Sequence, residues 1–384
     1  MVATATSYTW LEQKKAEAKT AYETLSWPDP KSEAYRRSDL SFLRNGFKPN
    51  TQAFQVEIPK DSLHITPFSK ALETQPEILE QYLFKTIPCD QGKLESLQSA
   101  LFEDGILIYI PAGTKLKEPI TSIAHFASQE PDASFFPRTL IVLGEGAEAT
   151  VIQEHIGETA HVALWNHGVE IILEKDAELT YIAKQKLGPQ CRSFTYEAAH
   201  LAQNAKLKIF HLETGSRLHR IETTTDCAGI GAEIEVIGSV TGNSDQVFDA
   251  HILNRHQAAQ TRSDMLWKSA LRGKSKSSFL GTIQILRQAN GSQAFQACHN
   301  LLLSKTASAN PDPRLEIWAN DVQAKHAATV GYLDPEQKFY LESRGMEEAL
   351  AEKLIASGFL KETAARLDMS LRDTLETEIE ETLL

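Results

Sequence analysis

Hydrophobic and polar residues alternate in short runs through the middle of the chain. From about residue 86 to 331, apolar-rich segments such as 106–110 (ILIYI) and 169–173 (VEIIL) are separated by small polar turns. An alternation with a period of two places successive side chains on opposite faces of an extended strand. The pattern therefore predicts a succession of short β-strands over this region.

An internal repeat runs through the same region. A segment with a small corner residue and an alternating strand after it recurs around Ala147, Ala177, Ala205 and Ala232, at spacings of 30, 28 and 27 residues. A near-constant period made of strands indicates a solenoid, in which each turn buries its inward side chains against its neighbours. A β-sandwich built from hairpins is the alternative, but Asn-Gly hairpin turns do not recur at every strand. We therefore predict a mainly β protein with a β-solenoid core.

Both ends of the chain are predicted to be helical. Residues 9–26 are rich in Ala, Glu and Lys, and a Pro-containing segment follows them. Near the other end, Asp334 is placed to cap a helix that Gly345 ends. A second helix is predicted over 346–357, stopped by Gly358. The predicted division is an N-terminal helical region (1–85), a β-solenoid core (86–331) and a C-terminal helical domain (332–384).

An apolar stripe marks the last predicted helix. Leu371, Leu375, Ile379 and Leu383 recur every four residues, which places them on one helical face. Such a face docks either on its own domain or on a partner. We expect it to dock on its own domain.

Composition narrows the function classes. The formal net charge is −12, which argues against a nucleic-acid partner because phosphate binding needs a basic surface. We find no apolar run of about 18 residues and therefore expect no membrane span. The first ten residues lack the pattern of a secretory signal, and the four cysteines include no C-x-x-C pair. These features predict a reducing compartment with free thiols.

Sequence motifs give no sign of nucleotide binding or catalysis. Gly144-x-Gly146-x-x-Ala149 imitates a dinucleotide-binding motif, but such a motif needs a helix at the glycines, and 150–152 (TVI) continues as strand. No Gly-x-Ser-x-Gly or His-Glu-x-x-His segment occurs. We expect a protein that is not an enzyme and binds no nucleotide.

Several histidine and cysteine side chains are candidate metal ligands by residue type. His155, His161 and His167 are evenly spaced, but we expect them to be solvated or singly hydrogen-bonded. Cys298 and His299 are neighbours on a predicted strand and so point to opposite faces. We expect Cys298 to be a small buried residue.

Two segments are more specific than the rest. Residues 28–40 (PDPKSEAYRRSDL) combine a Pro, a Glu, an aromatic, basic residues and a Ser before Asp-Leu, and residues 300–345 join the last strands to the C-terminal helices. Both segments resemble the SufB/SufD family of the Suf iron–sulfur cluster assembly system. The resemblance implies a right-handed parallel β-helix between helical ends. Within the family the chain resembles the SufD branch, since it is short for SufB and lacks a cysteine-rich N-terminal motif.

The resemblance also implies partners. SufD pairs with SufB through the β-helix, with a homodimer possible when it is isolated, and its C-terminal helices bind the ATPase SufC. On this basis the SufC-binding residues are predicted to be Phe339, Tyr340, Arg344, Met346, Leu350 and Leu354.

The resemblance places a transient iron–sulfur cluster at the interface with SufB. It implies that His326, in the block D-V-x-x-x-H-x-A-T-x-G, is a candidate ligand of the nascent cluster. Many relatives have a cysteine two residues earlier, where this chain has Ala324, and strand positions 324 and 326 share a face. Without the family, His326 would be an ordinary strand histidine.

Two alternatives stay open. The chain could be a SufB-like paralogue that acts as the main cluster scaffold. It could also be a β-helix enzyme acting on polysaccharides, because the repeat puts Glu148, Glu178 and Glu233 at equivalent places, although Lys206 interrupts that column.

Overall fold

The computed structural model describes residues 9–45, 47–59 and 63–383. Its helices are α1 (Thr9–Thr24), α2 (Ser41–Arg44), α3 (Phe68–Thr74), α4 (Pro76–Tyr82), α5 (Lys93–Leu101), α6 (Pro335–Ser343), α7 (Glu348–Ala364) and α8 (Met369–Glu381). Its strands are β1 (Asn50–Thr51), β2 (Gln55–Glu57), β3 (Ile65–Pro67), β4 (Gly105–Ile110), β5 (Ile120–Ser128), β6 (Ala133–Phe135), β7 (Arg138–Leu143), β8 (Glu148–Thr159), β9 (Ala163–Leu173), β10 (Glu178–Leu187), β11 (Cys191–Leu201), β12 (Lys206–Glu213), β13 (Leu218–Cys227), β14 (Glu233–Gly242), β15 (Val247–His256), β16 (Arg262–Leu271), β17 (Lys276–Ile285), β18 (Ser292–Leu302), β19 (Ser308–Ile317) and β20 (Val322–Tyr332).

The strands form a parallel β-solenoid of about eight turns, which confirms the predicted fold. Sheet A runs in the order β3-β4-β7-β9-β11-β13-β15-β17-β19, and sheet B runs β2-β5-β8-β10-β12-β14-β16-β18-β20. From β7 onward the chain alternates between the two sheets, so that each strand pairs in parallel with the next strand but one. One strand from each sheet makes up one turn.

The predicted repeat corresponds to the corner that leads into sheet B. The register joins Glu148, Glu178, Lys206 and Glu233 in one column, so the repeated segments stack in phase. The alanine before each of these residues is fully buried, because the corner leaves room only for a methyl group. The residue before each alanine has a positive φ, between 55° and 75°, and these residues are Gly146, Asp176, Asn204 and Gly231. Gly146 therefore leads into a strand and not into a helix.

The interior of the solenoid, here called the lumen, is lined by alternate residues of both sheets. One side of it is an apolar core that includes Ile141, Ile171, Ile209 and Ile283, all fully buried. Stacking equivalent apolar residues from turn to turn removes them from water, which is the main stabilising contribution to the fold.

The C-terminal helices cover the outer face of sheet B. Leu375 and Ile379 of α8 are buried in one cluster with Phe210 and Ile237 of the sheet, and Leu371 and Leu383 pack against it. The apolar stripe therefore docks on its own chain, as predicted. The predicted stop at Gly358 is wrong, because α7 continues to Ala364. A glycine inside a helix costs only about 1 kcal/mol, and burial of the flanking helical residues outweighs that cost.

The N-terminal region covers the outer face of sheet A. The Arg138 guanidinium and the Glu170 carboxylate form a fully buried ion pair at 2.6 Å. Glu170 also accepts hydrogen bonds from the backbone N–H groups of Phe84, Thr86 and Ile87, so it fixes the chain before α5. The helices of this region end with α5 at Leu101 and β4 begins at Gly105. The division into units at residues 85 and 331 stays a prediction.

Two sequence-wide features have simple structural counterparts. The four cysteines are all free and buried. Within the described residues, no helix is long and apolar enough to cross a membrane.

Candidate functional site

The last turn of the solenoid, here called the terminal rung, consists of β19 and β20. Among the described residues, each is the final strand of its sheet, with a neighbour on one side only. Large apolar side chains are exposed here, including Trp318 (49%), Val330 (46%) and Tyr332 (61%). Exposed apolar side chains next to unpaired strand edges are typical of a surface that another chain covers.

His326 lies in the middle of β20 and is exposed. It is paired in register with Gln296, and Ala324 is paired with Ala294; both partners are buried and face the lumen. Positions 324 and 326 therefore share the inward face, as predicted. Since β20 is the last strand of sheet B in the described part of the chain, the imidazole lies at the open end of the lumen.

Cys298 is the nearest lumen-facing thiol in the register. It is paired with Ala328, one turn below the terminal rung, and is fully buried. Burial raises the pKa of this thiol to about 12, although its contact with the Asn300 side chain lowers it slightly. A thiol that stays protonated is a poor metal ligand. The prediction that Cys298 is a small buried residue is confirmed. His299 points to the outer face, where it hydrogen-bonds Thr329 at 2.8 Å.

No group of three or more His, Cys, Asp or Glu side chains is arranged to hold a metal ion in the part of the chain that the structure describes. His326 is therefore not part of a group of three or more such side chains among these residues. A complete iron site at this position requires ligands from another molecule.

A second exposed surface is the groove between α6 and α7. Tyr340 and Leu341 form one wall, Leu354 and Ile355 form the other, and Asp334 lies at the rim. The Asp334 side chain caps α6 by accepting from the Glu336 N–H at 2.9 Å. The helices are held together by Lys338, which donates to the Glu352 carboxylate at 2.9 Å.

Two of the six predicted SufC-binding residues, Tyr340 and Leu354, line this groove, and the other four lie on α6, on α7 or in the turn between them. Phe339 (70%), Tyr340 (57%), Leu350 (54%) and Leu354 (50%) are exposed. The Arg344 guanidinium lies 5.2 Å from the centre of the Tyr340 ring, and Met346 is half-buried. The structure places Tyr340 and Leu354 on facing walls. Whether these residues bind a partner stays a prediction.

The other side of the lumen is polar, which the sequence did not reveal. His211 lies between two buried carboxylates, with its ring nitrogens 3.4 Å from Glu197 and from Glu213. His219 contacts Glu213 at 3.0 Å. Burial alone would lower the pKa of His211, but the two carboxylates outweigh it and raise the pKa to about 10. Burial opposes the charge on Glu213, but the two imidazoles hold its pKa at about 2.

His155 and His167 also line the lumen, with ring centres 4.7 Å apart. Burial lowers the pKa of His155 to about 4 and that of His167 well below its usual value. The expectation that these histidines are solvated or singly hydrogen-bonded holds for His161, which is exposed, and for His167, whose Nε2 makes one hydrogen bond with the Thr139 hydroxyl at 3.1 Å. It fails for the solvation of His155, which is buried. The strand register, which decides the inward face, was the missing information.

The carboxylate column that suggested a polysaccharide enzyme is interleaved with cations. Glu148 pairs with Lys115, and Glu178 lies 3.9 Å from Lys206 of the next turn. The column continues to Arg262 after Glu233. Calcium binding or acid–base catalysis needs clustered free carboxylates, and this arrangement supplies charge pairs instead.

Comparison with known families decides the general assignment. Residues 125–359 match the model described as SUF system FeS cluster assembly, SufBD core domain. The chain belongs to the SufBD family. Residues 41–121 match the model of the SufBD protein N-terminal region. The protein is thus a SufBD family member of the iron–sulfur cluster assembly system, and its assignment to the SufD branch is a proposal because both models cover SufB and SufD together.

Curated relatives agree with this assignment. An iron–sulfur cluster assembly SufBD family protein of Staphylococcus haemolyticus is 27% identical over 319 residues, covering 82% of this chain and 68% of the relative. A SufBD family protein of Staphylococcus saprophyticus is 28% identical over 303 residues, covering 78% of this chain and 64% of the relative.

Proposed function

We propose that the protein is the SufD-type scaffold subunit of a SufBCD complex. In this proposal it pairs with SufB through the terminal rung, binds the ATPase SufC through the groove between α6 and α7, and contributes His326 to a transient iron–sulfur cluster. The observation that supports it best is the position of His326, which is exposed at the centre of the last strand of sheet B.

The chemistry of the terminal rung fits a shared and temporary site. A neutral imidazole is a borderline ligand that serves iron in some iron–sulfur centres. It binds iron less firmly than thiolate does, which suits a scaffold that must release its cluster. With Ala324 beside it and Cys298 buried, the remaining ligands would come from SufB.

The groove between α6 and α7 suits a SufC contact. Its exposed aromatic and aliphatic side chains lie beside Arg344 and a polar rim, a composition found at the centres of protein interfaces. The opposite face of α7 is buried against sheet B, so the helix holds the groove on a rigid support.

The SufB-like alternative is less well supported. A main scaffold would need several cluster ligands, whereas the terminal rung offers His326 without a neighbouring accessible thiol. The proposal also places the protein in a reducing compartment, the bacterial cytoplasm or a plastid stroma, where four unpaired thiols persist.

Assembly tests the proposal directly. The chain would be co-expressed with SufB and SufC of the same organism, and the masses of the purified species would be measured by light scattering. We expect a 1:1 pair with SufB, to which this subunit contributes one bound SufC. Masses that correspond only to separate, non-interacting subunits would refute the assignment.

A further inference from the structure

The corner loops that lead from sheet B into sheet A form a positively charged surface, here called the basic corner. Over successive turns these loops are residues 188–190, 214–217, 243–246, 272–275 and 303–307. Together with the first two residues of each strand that follows, they contain one carboxylate, Asp245, and six cations. The cations are Arg192, Arg217, Arg272, Lys274, Lys276 and Lys305. The whole chain has 51 acidic and 39 basic residues, so this surface reverses the overall balance of charge.

The opposite corners, which lead from sheet A into sheet B, have the opposite sign. Between β7 and β16 they contain more acidic than basic residues, and their lysines are paired. Lys175 lies 3.2 Å from the Glu145 carboxylate, and Lys206 lies 3.9 Å from that of Glu178. The two lateral corners of the solenoid therefore present different charge to a partner.

Most cations of the basic corner have no such pairing. Among the described residues, the ion pairs of this surface are Arg217 with Asp245 and Arg272 with Glu352 of α7. The other four cations have no carboxylate oxygen within 4.0 Å in the described part of the chain, and the lysines among them are exposed. These four are Arg192, Lys274, Lys276 and Lys305. Like charges gathered in one place repel one another, and an anionic partner would remove that repulsion.

A pocket in the basic corner is lined by two arginines. Its volume is about 450 Å³, and Arg192 and Arg217 both line it. Arg192 is held in place, because its Nη1 donates to the Gln190 carbonyl at 3.2 Å and its guanidinium lies 5.4 Å from the centre of the Phe42 ring. Burial and the positive charge of Arg217 both lower the pKa of Arg192, so the two cations lie close together. A guanidinium binds a carboxylate through two parallel hydrogen bonds, and this pocket therefore suits a carboxylate.

The charges of the basic corner follow the axis of the solenoid. The register places Arg192 and Lys276 in one column of sheet A, with β13 and β15 between their strands. Neighbouring strands lie ~4.8 Å apart, so the row from β11 to β19 is about 19 Å long. An extended chain advances about 3.3 Å per residue, and a segment of roughly six residues would span this row.

We propose that the basic corner binds an extended acidic segment of another protein, with one carboxylate seated between Arg192 and Arg217. A small anion would fill only the pocket and would leave the exposed lysines without partners. A nucleic acid would be repelled by the rest of the chain, whose formal net charge is −12, whereas a short segment approaches this surface alone. The inference goes beyond the proposed function, since it uses none of the residues assigned there to SufB or SufC.

A matched pair of double variants tests the inference, with a fluorescein-labelled octaglutamate peptide as the probe. Lys274→Glu/Lys305→Glu reverses two charges of the basic corner, and Lys206→Glu/Arg262→Glu makes the same change of charge at the opposite corners. Binding would be measured by fluorescence anisotropy at an ionic strength of about 50 mM, where screening is weak. We expect the first variant to bind the peptide about tenfold or more weakly, and the second to change binding by less than about threefold. All four side chains are exposed, and thermal unfolding reports whether both variants stay folded.

Carbodiimide coupling of the bound peptide to the unmodified chain gives a second readout that needs no variant. This reagent joins a carboxylate to a lysine in contact with it, so mass spectrometry should find peptide attached at Lys274, Lys276 or Lys305. Attachment only at Lys175 or Lys206 would place binding at the wrong corner.

Three results of the anisotropy measurement would overturn the inference. The first is that the unmodified chain shows no saturable binding of the peptide. The second is equal weakening by the two double variants, since this would show only the effect of total charge. The third is tighter binding of an oligothymidylate of equal length, which would show a surface for nucleic acid.

Discussion

The two ends of the solenoid are finished in different ways. At the first end, β3 pairs antiparallel with β4 and β2 pairs antiparallel with β5, so the N-terminal segment supplies the outer strands. At the last end, no described residue adds a strand beyond β19 and β20, and Trp318 and Tyr332 are exposed. The chain covers its first end with its own residues and leaves the last end available.

Ion pairs show the same difference. Arg138 and Glu170 near the first end are fully buried and join β7, β9 and the segment before α5. Arg314 and Glu33 at the last end join β19 to the segment at residues 28–40, and half of the Glu33 side chain is exposed. Buried pairs make a structure intolerant of the loss of one partner, whereas exposed pairs contribute little. Rigidity is therefore expected at the covered end.

The largest effect is expected when the buried pair is broken. Glu170→Ala leaves the Arg138 guanidinium buried without its carboxylate and removes the acceptor for three backbone N–H groups. We expect a loss of about 3–5 kcal/mol in the free energy of unfolding, measured by denaturant titration. Glu33→Ala is the matched change at the open end and should leave the denaturation midpoint nearly unchanged. Similar losses for the two variants would remove the distinction between the ends.

The polar lumen should make stability depend on pH in both directions. His155 and His256 have folded-state pKa values of about 4, because burial disfavours their charged forms. Unfolded histidines titrate near pH ~6.5, so this stability is present above pH ~6.5 and is lost as the pH falls toward 4. His211, with a pKa of about 10, stabilises the fold below pH ~6.5 and loses that contribution as the pH rises toward 10.

We therefore expect maximal stability near pH ~6.5, with a decrease on each side. Denaturant midpoints measured from pH 4 to 10 would check this. In the variant His211→Asn, the loss of stability at alkaline pH should shrink more than the loss at acid pH. A stability that stays constant between pH 4 and 6.5 would contradict the assignment of neutral, buried imidazoles to the lumen.

Adding a methyl group at a glycine should have different effects in the packed interior and at the open edge. A Cβ on Gly238 would lie 2.1 Å from the Trp267 ring, whereas a Cβ on Gly331 would have no neighbour within 4 Å. Gly238→Ala should destabilise the fold by about 1–3 kcal/mol because the interior is already filled. Gly331→Ala should be neutral or stabilise the fold by up to about 1 kcal/mol. The unfolding midpoints of the two variants would test this. An unchanged midpoint for Gly238→Ala would mean that the lumen is loosely packed.

The two faces of α7 offer a smaller contrast. Leu354 lies in the exposed groove, and Leu360 is buried against sheet B. Leu354→Ala should change the free energy of unfolding by less than about 0.5 kcal/mol, but should weaken SufC binding by roughly tenfold. Titration with SufC by calorimetry would measure this. Unchanged affinity in a folded Leu354→Ala variant would place the SufC contact elsewhere.

The sequence predicted the features that depend on local pattern. The repeat around Ala147 and Ala177 gave the solenoid because corners recur in phase, and the stripe through Leu375 predicted a docked helix. The predicted helix end at Gly358 was wrong because the low helix propensity of glycine counts for less than the packing of the neighbouring residues.

The polar lumen could not be predicted in the same way. The inward or outward direction of His155 depends on the strand register across several turns, and this is set by packing between strands distant in sequence. The location of Pro311 in the last strand of sheet A also needed the structure, because the sequence alone does not give the strand order.

In the proposed function, the open end of the solenoid supplies a ligand for a cluster shared with SufB. The variant His326→Ala tests this most directly. Because His326 is exposed, the free energy of unfolding of the variant should lie within about 0.5 kcal/mol of that of the unmodified chain. The variant should also assemble with SufB and SufC. The decisive measurement is the iron and acid-labile sulfide content of the complex isolated from cells. We expect little of either in the variant, at equal yield of complex; equal content would show that His326 is an ordinary strand histidine.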